Sequence, residues 1–461
     1  MSRIFCVIED YDTILKTRRP NGTSRTWGLK ELGKLDISLL VDKHKRYNSR
    51  NRTVNIPPFV DDFKEISKVG KPTNVDLMSW QSAQVKECGN FWYITKEEIQ
   101  NKKFLYIIHI YGSEYFDQHS EIGLSVIDEE ILEKVRNNQG HIIIFFVNEP
   151  EAWTGNYVDS KEPELIGKWR ESANLPPFSV SYFSGNYKFS LTDDLSLKHK
   201  VNFKAFSAFL YTFSYQVLKT NLKIFEYTPL DSKNIFLSYM RLPRIHRWLM
   251  YGELISRNII DRGLLSFGLD QHNSGISREE IKKLLGTEIY NTILERGEQY
   301  ISDPTLEFNL AESPFHDYDY SNTFLSLVSE TSSKNNTIFL SEKIWKPIIA
   351  GHPFIVNGNP GTLAVLKKLG YKTFENWWSE NYDDEKDLSK RVKMIGAILE
   401  KLSKLTSEEL KQIRIEMYPI LKHNQDLASS IINRKITSRG DLGDWREEIQ
   451  EIYSKLTPGL I

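Results

Sequence analysis

The sequence predicts an α/β fold built from two Rossmann-like domains that face a cleft. In the first half, residues 104–110 and 140–147 are apolar runs of strand length, and residues 122–137 between them have helical spacing. In the second half, apolar runs at 323–328 and 353–356 enclose a polar loop and an amphipathic segment. Buried strands that alternate with helices are typical of parallel sheets. A chain of 461 residues is also long enough for two such domains.

The remaining elements of the first half follow from local pattern. Residues 2–9 alternate apolar and polar side chains and are predicted to form a strand. The region from 155 to 230 is less determined. It contains a strand-like run at 178–183, and residues 203–218 fit a helix or a strand equally well.

The second half begins with a strand at 234–239. A helix at 243–258 follows, with an apolar face. Ser341 is an expected N-cap and Gly351 an expected C-cap of a helix at 342–350. The later predicted elements are a helix at 362–369, a short strand at 372–374, and helices at 387–405, 407–421 and 444–456.

The break in this alternation near residue 230 defines the predicted domains. Residues 1–230 are predicted to form one α/β domain, and residues 231–435 a second, Rossmann-like domain. Residues 436–461 form a C-terminal helix that is expected to cross back to the first domain.

Charge and hydropathy narrow the classes of partner. The net charge is −1, so there is no global basic field to hold nucleic acid or an anionic membrane. Two cysteines are too few for a disulfide framework. The longest clean apolar run, 142–147, is far shorter than the roughly 20 residues of a membrane span. The expected location is the cytoplasm, or the host cytoplasm if the protein is viral.

The segment 341–356 is the strongest candidate for a ligand site. A helix N-terminus carries free N–H groups and a partial positive charge, which favour an anion. Lys343 lies in the first turn, where a cation opposes the helix dipole unless it meets an anion such as phosphate. Glu342 could accept hydrogen bonds from sugar or ribose hydroxyls. The alternative is an ordinary amphipathic helix with a surface pair between Glu342 and Lys346.

A second basic group lies at the start of the helix at 243–258. Arg244 and Arg247 are three residues apart and therefore share a helix face. Guanidinium groups match the geometry of phosphate oxygens. A solvated basic turn is the alternative interpretation.

The order of these motifs resembles the α1,3-fucosyltransferase family. The shared pattern is a strand, an Arg-bearing helix start, a later strand that leads to Glu330, the Ser341–Glu342–Lys343 helix start, and then Ala350–Gly351 before an apolar strand. The match covers residues 233–360 in pieces. The chain is also similar, more loosely, to glycosyltransferase-like proteins of phages and large viruses.

The resemblance implies the two-domain GT-B glycosyltransferase fold and a GDP-fucose donor. It implies transfer with inversion, without an obligatory metal and without any other cofactor. By the same resemblance, Glu342 would bind donor hydroxyls, Lys343 and Arg247 would bind the diphosphate, and Glu330 would lie near the donor. Arg244, Ser341 and Lys346 complete the predicted substrate-binding set.

The sequence departs from the family after Gly351. His352 and Pro353 follow where the family has a different residue pair, and the next turn begins Asn357–Gly358. These differences leave the base and the sugar of the donor open, so a UDP-linked sugar is an alternative to GDP-fucose.

An inverting transfer needs a base that takes the proton of the acceptor hydroxyl. Glu149 is the predicted base because it follows the buried strand at 140–147, and strand ends of an α/β sheet face the crevice. Glu151 and Asp117 are the alternatives. A turn carboxylate without a catalytic role is the other interpretation of each.

Other motifs are weaker. The Asp-x-Asp triplets at 10–12 and 317–319 are short enough to occur by chance, and no metal site is predicted.

The expected acceptor is a hydroxyl of a glycan, with DNA as an alternative acceptor. A non-catalytic protein that binds nucleotide-sugars or glycans is the alternative from a different class.

Overall fold

A computed structural model of the chain describes sixteen stretches of sequence. They are residues 4–10, 87–88, 91–94, 96–110, 127–146, 162–185, 191, 194–205, 224–229, 234–240, 243–269, 277–299, 317–331, 333, 337–433 and 445–459. The chain divides into two compact units. The described residues of the first unit lie between 4 and 205 and at 445–459, and those of the second lie between 224 and 433. The predicted domain limits were 230 and 435.

The first unit contains a seven-stranded sheet in the order β2-β3-β1-β4-β5-β6-β7. Strands β3, β1, β4, β5, β6 and β7 pair in parallel, and β2 pairs with β3 in the antiparallel sense. The strands are β1 (Ile4–Asp10), β2 (Glu87–Cys88), β3 (Phe91–Tyr93), β4 (Phe104–Ile110), β5 (Gly140–Phe146), β6 (Val180–Ser184) and β7 (Asn202–Ala205).

Four described helices belong to the first unit: α1 (Glu129–Arg136), α2 (Glu162–Ser172), α3 (Asp194–His199) and α12 (Trp445–Lys455). The central strands are buried on both faces, which explains their continuous apolar sequence. The C-terminal α12 is attached through Tyr453. Its hydroxyl donates to the Lys103 carbonyl at 3.1 Å and accepts from the Phe5 amide at 3.3 Å.

The second unit contains a four-stranded parallel sheet in the order β11-β10-β8-β9. The strands are β8 (Phe236–Met240), β9 (Gly263–Phe267), β10 (Leu325–Ser329) and β11 (Phe354–Asn357). Its helices are α4 (Ile245–Ser256), α5 (Arg278–Leu285), α6 (Thr287–Arg296), α7 (Asp317–Asn322), α8 (Glu342–Ala350), α9 (Thr362–Lys368), α10 (Leu388–Leu402) and α11 (Ser407–Asn433).

Aromatic side chains pack α4 against β9. The Phe267 ring stacks on Tyr251, with centroids 4.4 Å apart, and meets the Trp248 ring edge-on at 5.1 Å. Helix α8 buries Ile344 and Trp345 completely. The helices that follow β8 and β10 are thereby held firmly beside the sheet, which places their N-termini near the strand ends.

Most predicted elements are confirmed, and α8 matches the prediction in full. It begins after the N-cap Ser341, whose hydroxyl accepts from the Lys343 amide, and ends at Gly351, which has a left-handed backbone with φ of 60°. Helix α1 begins at Glu129, later than the predicted residue 122. Ile127 lies outside the helix and Asp128, in extended conformation, is its N-cap.

The predicted strand at 372–374 was also wrong, because side chains take its backbone hydrogen bonds. Asn424 accepts from the Lys372 amide and donates to the Lys372 carbonyl, each at 2.8 Å. The carboxylate of Glu380 accepts from the Phe374 amide at 2.7 Å. The segment is therefore irregular and pairs with none of the described strands.

Candidate functional site

The strand order of the second unit contains a topological switch point between β8 and β10. The chain leaves β8 for β9 on one side of it, and β10 later pairs on the other side. In open α/β sheets, ligands bind outside the carboxyl ends of the strands at such a point. Arg244 and Arg247 follow β8, and Glu330 and Thr331 follow β10, so the topology brings two of the predicted groups to one place.

Glu330 is buried and binds the start of α8. Its Oε2 accepts from the Ser341 hydroxyl at 2.5 Å and from the Thr331 amide at 3.1 Å. The Ser341 amide lies 3.2 Å from Oε1. Ser341 is also fully buried and caps α8 with the same hydroxyl oxygen. The two residues therefore fix the distance between the end of β10 and the N-terminus of α8.

Arg244 and Arg247 donate to main-chain carbonyls of the residues that follow β10. The Arg247 guanidinium, 2% exposed, donates to the carbonyls of Ser329 at 3.1 Å and Glu330 at 2.9 Å. Arg244, which is half-buried, donates to the Thr331 carbonyl. The start of α4 is thus joined to the loop after β10 by guanidinium groups.

Lys343 reaches the same loop from α8. Its ammonium donates to the hydroxyls of Thr331 and Ser341, each at 3.3 Å. The Lys343 side chain is half-buried. Among the predicted site residues whose side chains are described, Arg244 and Lys343 are therefore the two with part of their surface open.

The pKa of His246, at the start of α4, is affected by the cations around it. Burial lowers its pKa well below 6.5, and the charges of Arg247, Arg244 and Arg391 lower it further, against the opposing effect of its bond to Glu330. The neutral ring donates from Nε2 to the Glu330 carbonyl at 2.8 Å. Three guanidinium groups thus lie close enough to act on one buried imidazole.

Arg391 is the site residue that the sequence analysis missed. It lies on α10, is 1% exposed, and donates to the carbonyls of Ser333 at 2.8 Å and Glu385 at 2.5 Å. Its sequence context is an amphipathic helix in which an arginine resembles any surface cation, so no sequence signal identifies it. Thr331 was also missed, although it directly follows Glu330 in the sequence.

The other predicted residues have different outcomes. Lys346 is buried and its ammonium lies 5.8 Å from the centroid of the Tyr239 ring, so it is not the surface lysine of the alternative interpretation. Glu342 is the first residue of α8, and its side chain is outside the described part. Glu149, Glu151 and Asp117 also lie outside the described residues.

Two half-buried cations, Arg244 and Lys343, lie at the end of β10 beside the start of α8. The Glu330 carboxylate already accepts from the Ser341 amide and hydroxyl, so an anion at this place would be bound by the two cations. Within the described stretches of the chain, no group of three or more His, Cys, Asp or Glu side chains is arranged to hold a metal ion.

Comparisons with known proteins add no relative. No protein-family model matches the chain, and no curated protein sequence matches it. Within the described residues, no helix combines the length and the apolar character needed to cross a membrane.

Proposed function

We propose that the chain is an inverting glycosyltransferase of the GT-B type whose second unit binds a nucleoside-diphosphate sugar. The observation that carries the proposal is the convergence of Lys343, Arg244 and Arg247 on the residues after β10, at the switch point of a parallel sheet. A diphosphate is the part of such a donor that matches several cations and a helix N-terminus.

The proposal divides the predicted residues into two roles. Arg244 and Lys343 retain open surface and contact the diphosphate. Arg247, Glu330 and Ser341 are buried and hold the loop and the helix start in place. Glu330 therefore acts on the donor through Ser341 and Thr331, instead of by direct contact.

The chemical step follows from the expected class of reaction. The donor is GDP-fucose in the first instance, with a UDP-linked sugar as the alternative. A carboxylate, proposed as Glu149 with Glu151 and Asp117 as alternatives, takes the proton of an acceptor hydroxyl on a glycan. The hydroxyl oxygen attacks the anomeric carbon, and the nucleoside diphosphate leaves with the charge stabilised by Lys343 and Arg244. No metal or other cofactor is needed in this scheme.

Binding is tested first, by thermal unfolding and calorimetry with GDP, GMP, UDP, UMP and GDP-fucose. A ligand at 100 times its Kd stabilises the folded protein by about 2.7 kcal/mol. We expect a diphosphate to raise the Tm more than the matching monophosphate. Lys343→Gln should weaken diphosphate binding by roughly 10- to 100-fold, since a hydrogen bond to a charged group contributes about 1.5–3 kcal/mol.

The matched control is Lys411→Gln, an exposed lysine on α11 of the same unit. It removes the same charge away from the site and should leave binding unchanged. A wild-type protein that binds none of the nucleoside diphosphates contradicts the proposal.

Turnover separates an enzyme from a binding protein. The donor is incubated with mixed glycan acceptors, and release of the nucleoside diphosphate is followed. Glu149→Gln is expected to stop release while donor binding is retained. Donor binding without any release, in the wild-type protein, would favour a non-catalytic nucleotide-sugar-binding protein.

A further inference from the structure

Two buried arginines hold the opposite ends of β10. Arg414 of α11 donates to the carbonyl of Phe324, directly before the strand, and to those of Phe225 and Gly351. Arg391 of α10 donates to the Ser333 carbonyl, beyond the other end. Both side chains are at most 6% exposed, and their bonds are to main-chain oxygens. They differ in which end of the strand they hold.

Residues at and after the carboxyl end of β10 accept hydrogen bonds from three guanidinium groups. Arg247 takes the carbonyls of Ser329 and Glu330, Arg244 that of Thr331, and Arg391 that of Ser333. A carbonyl held in this way is directed at a guanidinium and away from an incoming anion. The segment then presents the Thr331 hydroxyl beside the Lys343 ammonium.

Arg391 links two segments of the second unit. Its Nη1 donates to the Glu385 carbonyl and its Nη2 to the Ser333 carbonyl, so that one planar group joins the loop after β10 to the segment before α10. A guanidinium makes two such bonds with fixed relative directions, whereas an ammonium is a compact point charge on a flexible stem. Geometry, more than charge, is what Arg391 supplies.

We propose that Arg391 is a positioning residue of the anion site. Its hydrogen bond fixes the position of Ser333, and through the chain that of Thr331 two residues earlier. Thr331 then lies where the Lys343 ammonium can bind a diphosphate. This inference rests on the proposed function, because it assigns a role in binding that ligand.

The test is Arg391→Lys, which keeps the charge and loses the fixed pair of bonds. The Kd for GDP and UDP is measured by calorimetry at a temperature well below the Tm of each variant. We expect a loss of affinity of about tenfold or more. Arg414→Lys is the control: it changes another buried arginine that donates to main-chain carbonyls, and it should lower the Tm without altering the Kd.

A double-mutant cycle gives a second measurement. If Arg391 acts through the position of the Thr331–Lys343 pair, adding Arg391→Lys to Lys343→Gln should cause much less than the tenfold loss seen in the wild-type background. Additive losses in the cycle would count against the positioning role.

A third measurement needs no variant, in case Arg391→Lys does not fold. Hydrogen exchange of the wild-type protein should show that the diphosphate slows exchange in residues 329–333 and in residues 385–391 together. Protection of 329–333 alone contradicts the link. Wild-type affinity in Arg391→Lys overturns this inference only, whereas a wild-type protein that binds no nucleoside diphosphate overturns the proposed function as well.

Discussion

Arg247 and Lys343 donate hydrogen bonds to successive residues of one segment. The Arg247 guanidinium reaches the Glu330 carbonyl at 2.9 Å, and the Lys343 ammonium reaches the Thr331 hydroxyl at 3.3 Å. The two cations come from different helices, α4 and α8, and meet at the end of β10. Arg247 is buried there and Lys343 is half-buried, so the first shapes the site and the second can face a ligand.

Replacing Glu330 by glutamine should destabilise the second unit. The carboxylate accepts from the Ser341 hydroxyl, the Ser341 amide and the Thr331 amide. A glutamine NH₂ would place a donor where Oε1 or Oε2 now accepts, in a site closed to water. We expect a loss of roughly 2–3 kcal/mol in the free energy of unfolding, measured by urea denaturation. Glu408→Gln, on the exposed first turn of α11, is the control and should change it by less than about 0.5 kcal/mol.

Ser341 and Ser277 provide a matched pair of helix caps. Ser277 caps α5 at an exposed position and accepts from the Glu280 amide. Ser277→Ala should cost about 1 kcal/mol, the usual value for an N-cap. Ser341→Ala should cost roughly 2–3 kcal/mol, because it also removes a donor from the buried Glu330 carboxylate. The Ser277 hydroxyl also donates to a carboxylate, the exposed one of Glu280. Equal losses in the two variants, by urea denaturation, would therefore show that burial of the Glu330 bond adds nothing.

Asp383 should make the second unit less stable as the pH rises from about 4 to 6. Burial raises the pKa of its carboxyl from the ordinary 3.8 to about 6, although the Leu363 and Ala364 amides at the start of α9 oppose this rise. Between these two values the unfolded chain loses the proton and the folded chain keeps it. The free energy of unfolding then falls with pH, by up to about 3 kcal/mol for this group.

Asp383→Asn provides the measurement for this pH dependence. The amide oxygen can still accept from Leu363, and the side chain no longer titrates. Urea midpoints of the variant and the wild-type protein are compared at pH 4, 5, 6 and 7. We expect the difference between the two proteins to change in favour of the variant as the pH rises through this range. A difference that stays constant would contradict the raised pKa.

The fold was predictable where local pattern and burial agree. The runs at 104–110 and 140–147 became β4 and β5 because central parallel strands are buried on both faces. Helix α8 was predictable to the residue because its cap chemistry is local. Strand β9 was not predicted: Gly263–Phe267 neither alternates regularly nor forms a continuous apolar run, and its pairing with β8 is what makes it a strand.

The candidate site was predictable in its cations but not in its geometry. Lys343 and Arg247 were identified from their positions at helix starts, and their meeting place depends on β8 and β10 being neighbours in the sheet. Arg391 could not be found, because an arginine on an amphipathic helix has the same local pattern whether solvent or two carbonyls surround its guanidinium.

By itself, the sequence determined the α/β alternation, the start and end of α8, and the clustering of basic residues at two helix starts, because each depends on residues that are near one another in the chain. Only the tertiary structure decided that the Glu330 carboxylate accepts from Ser341, that the Arg247 guanidinium is buried on carbonyls, and that Arg391 donates to the Ser333 and Glu385 carbonyls. The bonds of Arg247 to Ser329 and Glu330, and of Arg391 to Ser333, join residues at least 58 positions apart in the chain. No local pattern specifies the strand order and helix packing that bring these residues within hydrogen-bonding distance.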